Sequence, residues 1–327
     1  MQNRSQTTAA ATVHPLKRLI SLAVAVVCML LLISPAAQAA PVLVANGGAD
    51  EVRLYNVTGT TWSFVKVFAN GIDLPSAIAQ DKATGTVYVS AATEMNIYRY
   101  QSNGTLIGSW NSTDRVDKMV LGPDGNLYGT VAFGSTNDDT VLKIDTTSGT
   151  VSTFIAKTDT VNYTLNAPRG IAVDPNGNFY IANRGASEVL KFDSSGAYQG
   201  VVLSGLSTVS GLSYDAVNDR LLVSGDTFNM SIYEVTDYAT GTPTVTEIYT
   251  PNDIGNVLDV KYIEGNVVWG SLLSGSDVVS YSTSSTTHVD VLTGLNDPHF
   301  LLELIPTPAA LPGGLMMMGL LTLKRRR

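Results

Sequence analysis

Six polar residues, one in each of six recurring segments, are the candidates for chemistry: Ser76, Lys118, Arg169, Ser210, Asp259 and His299. Each stands at the head of an apolar segment, and Asp117 adjoins the second of them. Brought together, they make a polar ring of mixed sign. Such a ring can hold a small ligand or an ion, or it can bind water and pair internally, as polar groups at the mouth of a channel commonly do. A metal asks for more. Oxygen-rich Ca²⁺ sites take several carboxylate or carbonyl ligands, whereas Asp259 is the single carboxylate of the six and Lys118 and Arg169 repel a cation. No cofactor is therefore expected, with a channel Ca²⁺ left open.

Other catalytic patterns are thin. Of three histidines, only His288 and His299 lie beyond the N-terminal segment. His288 falls in a predicted outer strand, so a lyase built on a histidine pair at one mouth is not expected. No nucleophile elbow surrounds any serine. Asp174-Pro-Asn-Gly-Asn lacks the spaced acids and distal Glu of a calcium loop, and Asn137-Asp138-Asp139 has only the composition of one. Both read as turns. The Asn-x-Ser/Thr triplets at Asn56, Asn103, Asn111, Asn162 and Asn229 are what chance gives in a Thr-rich chain.

The elements that position the ring are read from Leu165 to Leu203. Strands are predicted at Gly170–Val173, Asn178–Ala182, Glu188–Phe192 and Tyr198–Leu203, joined by Asp-Pro-Asn-Gly and Ser-Ser-Gly turns. Pro175 presets φ and Gly177 can take φ > 0, so the first turn has a mechanism. Four short antiparallel strands in about forty residues make one propeller blade. Such a sheet has two apolar faces and needs neighbours to cover them.

The pattern recurs along the chain. Second strands align as VLVANG (42–47), TVYVSA (86–91), NLYGTV (126–131), NFYIAN (178–183), RLLVSG (220–225) and VVWGSL (267–272). The unit starting at Val42 lacks a first strand, and a surplus one stands at 297–305, with Pro298-His299-Phe300 where the reference unit has Pro168-Arg169-Gly170. The C-terminal strand is thus expected to join the N-terminal blade and shut the ring, which removes an open sheet edge. The fold class is all-β, a closed propeller of six four-stranded blades over residues 40–305.

The blade resembles the NHL-type and gluconolactonase-like six-bladed propellers, most closely over Ala167–Asp193 with its P-R-G-I-A-V-D-P-N-G-N-F-Y-I-A-N run. Gluconolactonase-like enzymes hold a divalent metal in the channel through carboxylate and amide ligands, and the resemblance implies such a site only where those ligands are present.

Composition bounds the function. The 327 residues are 44% hydrophobic and 15% charged, as suits a turn-rich globular body. The formal charge is −8, yet three basic residues precede position 40 and four close the chain, and neither segment holds an acid. The body is left with 13 basic against 28 acidic residues. Phosphate-directed binding of nucleic acid is excluded on charge. Cys28 is the only cysteine, so the body has no disulfide and must rely on its apolar core.

The two ends read as addresses. Residues 1–39 are expected to be a signal peptide: His14, Lys17 and Arg18, an apolar run from Leu19 to Ile33, then the small-x-small Ala37-Gln38-Ala39. Residues 306–327 join Pro306-Thr307-Pro308 to an apolar run from Ala309 to Leu323 and a Lys324–Arg327 end. This resembles the PEP-CTERM sorting signal, with Thr307 where the motif has Glu. The resemblance implies an exosortase-like membrane peptidase as partner, transient inner-membrane contact through a short C-terminal helix, and delivery to the cell surface or extracellular matrix. A short apolar helix with a cationic end would keep that end cytoplasmic. The leading expectation is a binding or structural module for a matrix polysaccharide or protein. The alternative is a secreted enzyme, a lactonase-like hydrolase or a lyase, acting at the channel mouth.

Overall fold

The computed structural model describes residues 39–305 except 135, 160, 207, 226–230, 250–256, 272–276 and 283–286. The expected signal peptide up to residue 38, and the whole of the Pro306–Pro308 motif, apolar helix and basic tail, lie outside the described residues. Among the described residues, no helix is long and apolar enough to cross a membrane.

Six four-stranded antiparallel sheets surround a channel. From the channel outward, blade 1 runs Pro298–Glu303, Ala40–Asn46, Glu51–Thr58, Thr61–Asn70. Blade 2 runs Pro75–Gln80, Val87–Ala91, Asn96–Tyr100, Leu106–Asn111, and blade 3 Lys118–Leu121, Leu127–Val131, Thr140–Ile144, Val151–Ile155. Blade 4 is Pro168–Val173, Phe179–Asn183, Glu188–Phe192, Tyr198–Ser204. Blade 5 is Val209–Asp215, Arg220–Gly225, Ile232–Thr236, Thr244–Tyr249, and blade 6 Val257–Ile263, Asn266–Ser271, Val278–Ser282, Thr287–Leu292. The expected closure is present: Val42 pairs with Glu303 and Ala45 with Phe300. All blade strands fall between Ala40 and Glu303 and the core clusters between Ala40 and Leu304, so residues 40–304 contain every blade-to-blade core among the described residues.

Those cores sit between blades. One apolar cluster lies at each of the six joints; Phe179, Ile181 and Phe192 of blade 4, for example, pack on Tyr128 and Val141 of blade 3. Burying each such side chain contributes about 1.5–3 kcal/mol. No blade can gain this alone, which is why the repeats close into a ring.

The turns explain the Asp-led loops. Asp174 Oδ1 accepts the N–H groups of Asn176 and Asn178, each at 2.9 Å, while Tyr180 donates to Oδ2 at 3.0 Å. Gly177 has φ +82°. The carboxylate is spent on the turn. The same chemistry recurs at Asp124, which accepts from Asn126 N and the Tyr128 hydroxyl at 3.1 and 2.9 Å.

Joints between blades are also hydrogen-bonded. Asp50, Asp139 and Ser187 sit in the left-handed region in the turn between second and third strands, a conformation that short polar residues tolerate. Their side chains accept the backbone N–H of Leu74 at 3.2 Å, Ala167 at 2.6 Å and Thr208 at 3.1 Å, each just ahead of the next inner strand.

Two second strands are shifted by one residue from the sequence alignment. Val42 pairs with Tyr55 as Phe179 pairs with Phe192, so Asn46, not Gly47, is the counterpart of Asn183. Their bonds match: Asn46 donates to Glu51 at 3.0 Å and Asn183 to Glu188 at 2.8 Å. In blade 6, Val267 pairs with Tyr281, which moves that strand by the same step. A one-residue slip exchanges the two faces of a strand, so the correction decides which side chains reach the core.

Candidate functional site

The inner strands carry the candidate residues, and a bulge near the start of most of them sets where each one points. Register breaks between Pro75 and Ala77, Pro168 and Ile171, Val209 and Leu212, and Val257 and Asp259, and again opposite Ala45/Asn46 in the closing strand. A bulge adds one residue on one strand and re-aims its neighbours. Lys118 faces Thr130 and Asp259 faces Gly270, in the register that Ala77 and Phe300 hold opposite Ser90 and Ala45. Ser76, Arg169, Ser210 and His299 lie one step earlier, alongside Asp117 and Leu258. The six candidates thus divide into a mouth set and a channel set.

At the mouth, where inner strands begin, the polar groups are mostly engaged. Ser76 and Ser90 both donate to the Val116 carbonyl at 2.8 Å. Asp117, buried, accepts from the Arg115 side chain and from Ala132 N, each at 2.9 Å. The Arg169 guanidinium lies 5.6 Å from the centre of the exposed Phe133 ring, while its backbone carbonyl accepts the Thr130 hydroxyl at 2.6 Å. Ser210 is fully buried, and its hydroxyl has no hydrogen-bond partner among the described residues. His299 Nε2 lies 2.7 Å from Asp297 Oδ2, which fixes the ring. The ring also packs on Gly47, where a Cβ would come within 2.8 Å of it. The Asp297 partnership was not singled out in the sequence; the i, i+2 carboxylate ahead of His299 was the available signal. Residues 226–230, 250–256 and 272–276 lie outside the described residues.

Inside the channel the second set forms a charged plug. The Lys118 ammonium donates across the channel to the carbonyl of His299 and lies 5.0 Å from the centre of the Phe300 ring, with Lys261 at 4.4 Å from the same centre. Asp259 Oδ1 is 3.4 Å from Lys261, and Oδ2 accepts Leu301 N at 2.9 Å. Both Lys118 and Asp259 are buried. Burial, helped by Lys261 and Arg169, pushes the Lys118 amine down to about 8 from 10.5, against the opposing pull of Asp259 and Asp117.

The plug is built from blades 1, 3 and 6. On the other side Gly170 and Gly211 hold the same stretch of the inner strand. A Cβ on Gly170 would sit 2.5 Å from the Ser210 carbonyl, and one on Gly211 3.3 Å from Asp259 Cα. Backbones touch there. Side chains do the filling opposite.

This donor set does not fit the divalent metal of gluconolactonase-like channels. Its one carboxylate is committed to Leu301 N–H and Lys261, and two lysines, Lys118 and Lys261, stand beside it. Among the described residues, no group of three or more His, Cys, Asp or Glu side chains could hold a metal ion. His288 is on the outer strand of blade 6 and His299 on the inner strand of blade 1, so the two are not brought to one site. A cavity lined by the inner strands opens at the opposite end, where those strands finish.

A family profile described as the NHL repeat matches residues 165–192, within the reference blade. The chain carries an NHL repeat. Its fold recurs in solved structures. A nidogen/laminin complex matches at 19% identity and a TM-score of 0.60, over 76% of this chain and 92% of that one. A putative gluconolactonase matches at 15% identity and 0.53, over 73% and 81%. Catalytically inactive virginiamycin B lyase from Staphylococcus aureus with quinupristin matches at 15% and 0.51, over 78% and 85%. Identities this low carry the propeller fold and nothing finer. No curated protein matches the chain.

Proposed function

We propose that this protein is an exported bacterial propeller that serves as a binding or structural module at the cell surface or in the extracellular matrix. Its signal peptide takes it across the inner membrane. Its C-terminal helix holds it there transiently, until an exosortase-like peptidase cuts near Pro306–Pro308. Its partner is a matrix polysaccharide or protein, met at the mouth through Arg169 and His299, with Ser76, Ser210 and Asp117 buried behind them. The observation that carries the binding reading is the plugged channel: Lys118, Asp259, Lys261 and Phe300 occupy the space in which a metal-dependent hydrolase of this fold would do its chemistry. The strongly acidic body speaks against nucleic acid as partner.

The second reading is a secreted lactonase-like or lyase enzyme. It is favoured by Asp297 and His299, since a carboxylate-held imidazole at a channel mouth is the arrangement of a general base. The two readings separate in one experiment on residues 39–308: bound metal, a Ca²⁺ titration followed by melting temperature, and lactone hydrolysis. The binding reading expects no stoichiometric metal, no Ca²⁺-dependent rise in Tm, and hydrolysis no faster in the wild type than in His299→Ala. Stabilisation by Ca²⁺ of several degrees, or turnover abolished by His299→Ala, overturns it in favour of the enzyme.

A further inference from the structure

At the end of the channel where inner strands finish, a cavity of about 450 Å³ opens, within the range of small-molecule sites. Five of the six inner strands line it, and Lys82, just past the sixth, completes the rim. Leu121, Val173, Leu302 and Ile305 form its wall. Val217 at the rim is 76% exposed and Ile305 40% exposed, so apolar surface is left open to solvent there. The wall is fixed rather than loose: Gln80 accepts from Ile305 N at 2.8 Å and donates to its carbonyl at 3.0 Å, pinning the closing strand to blade 2.

The inner end of the cavity holds one ammonium, Lys261, beside Asp259, together with hydrogen-bond donors. Ser213 lines it, is 6% exposed, and its hydroxyl has no hydrogen-bond partner among the described residues. A buried hydroxyl left without a partner is unfavourable, and a ligand atom that bonds it recovers that loss. Lys261 lines the same end. Its ammonium has Asp259 at 3.4 Å and the Phe300 face beside it, and an ammonium carries three donors. At the rim the charges oppose each other, Lys82 against Glu303, whose carboxyl is held above its usual range by burial and by Glu264. The place for an anion is therefore the inner end, not the rim.

We infer that this cavity binds a small apolar carboxylate, its head at Lys261 and Ser213 and its body against Leu121, Val173, Leu302 and Ile305. The site is separate from the mouth and does not depend on export or sorting.

The test is calorimetric titration of residues 39–308 with sodium octanoate, octylamine and octan-1-ol. Octanoate binds in the submillimolar range, octylamine does not, and octanol binds at least fivefold more weakly than octanoate. Ser213→Ala weakens octanoate at least threefold without lowering Tm. Leu302→Trp fills the cavity and abolishes binding. Should that variant fail to fold, Val217→Asp at the exposed rim weakens octanoate at least threefold by repulsion. The proposal is overturned if octanoate does not bind, if the amine or alcohol binds as well, or if Ser213→Ala and Val217→Asp both leave the affinity unchanged.

Discussion

The ammonium of Lys118, on the inner strand of blade 3, donates across the channel to the carbonyl of His299, on the strand that closes blade 1. One long side chain thus ties the middle of the chain to its C-terminal strand. The tie rests on a buried charge, and that charge gives it a pH signature.

In the folded protein the Lys118 amine is held at about 8, below its ordinary 10.5, chiefly by burial. Between these values the unfolded chain binds the extra proton. Stability therefore rises as pH climbs from about 8 to about 10.5, by up to about 3 kcal/mol in all, and is level below about 8, where both states hold the proton. Lys118→Met removes this slope. At pH 7 it is as stable as the wild type or more so, because an apolar side chain of similar size replaces a desolvated charge. Urea unfolding of both proteins at pH 7, 8.5 and 10 reads the difference directly. A parallel pH dependence in the variant counts against the buried charge.

Asp259 balances two lysines and caps Leu301 N–H at 2.9 Å. Asp259→Ala leaves the cations and that N–H without it and costs about 3–5 kcal/mol. In a Lys261→Met background the cost is smaller, and the coupling between the two sites is about 1–3 kcal/mol. Denaturant midpoints of the four proteins in the cycle measure it. Strict additivity means that the pair at 3.4 Å does not act as a unit.

The joint between blades 3 and 4 depends on a short bond from Ala167 N to Asp139. Asp139 is 8% exposed and also faces Lys157 at 2.7 Å. Asp139→Ala is expected to cost about 1–3 kcal/mol, against less than about 1 kcal/mol for Asp50→Ala, whose bond is longer and open to solvent. Asp139→Asn keeps an acceptor and recovers part of the loss. Equal costs at the two joints contradict a graded role for burial.

The blade, the closing strand and the turn chemistry were legible because they rest on local patterns. Alternation marks the strands, Asp174-Pro-Asn-Gly marks the turn, and the missing partner before Val42 points to 297–305. Register was less legible. A bulge inserts one residue with no fixed sequence mark, so Lys118 and Asp259 were aligned with Arg169 and His299 although they stand one step further along. The plug was not legible at all. Lys261 and Phe300 meet Lys118 and Asp259 only because three inner strands converge, and separation along the chain carries no trace of that. The Gly170 and Gly211 contacts that narrow the other side are likewise visible only in three dimensions.

A surface propeller that is sorted rather than anchored must lose its apolar end. In the sequence, the apolar run from Ala309 to Leu323 is about 15 residues, short of the roughly 20 that a stable span needs, and it includes Pro312, Gly313 and Gly314, which are poor helix formers. Mass spectrometry of the C-terminal peptide of protein recovered from the cell surface measures its fate. The expected result is a terminus at or near Pro308 and no Lys324–Arg327 peptide. An intact Lys324–Arg327 end on surface-exposed protein would contradict sorting and make the segment a permanent anchor.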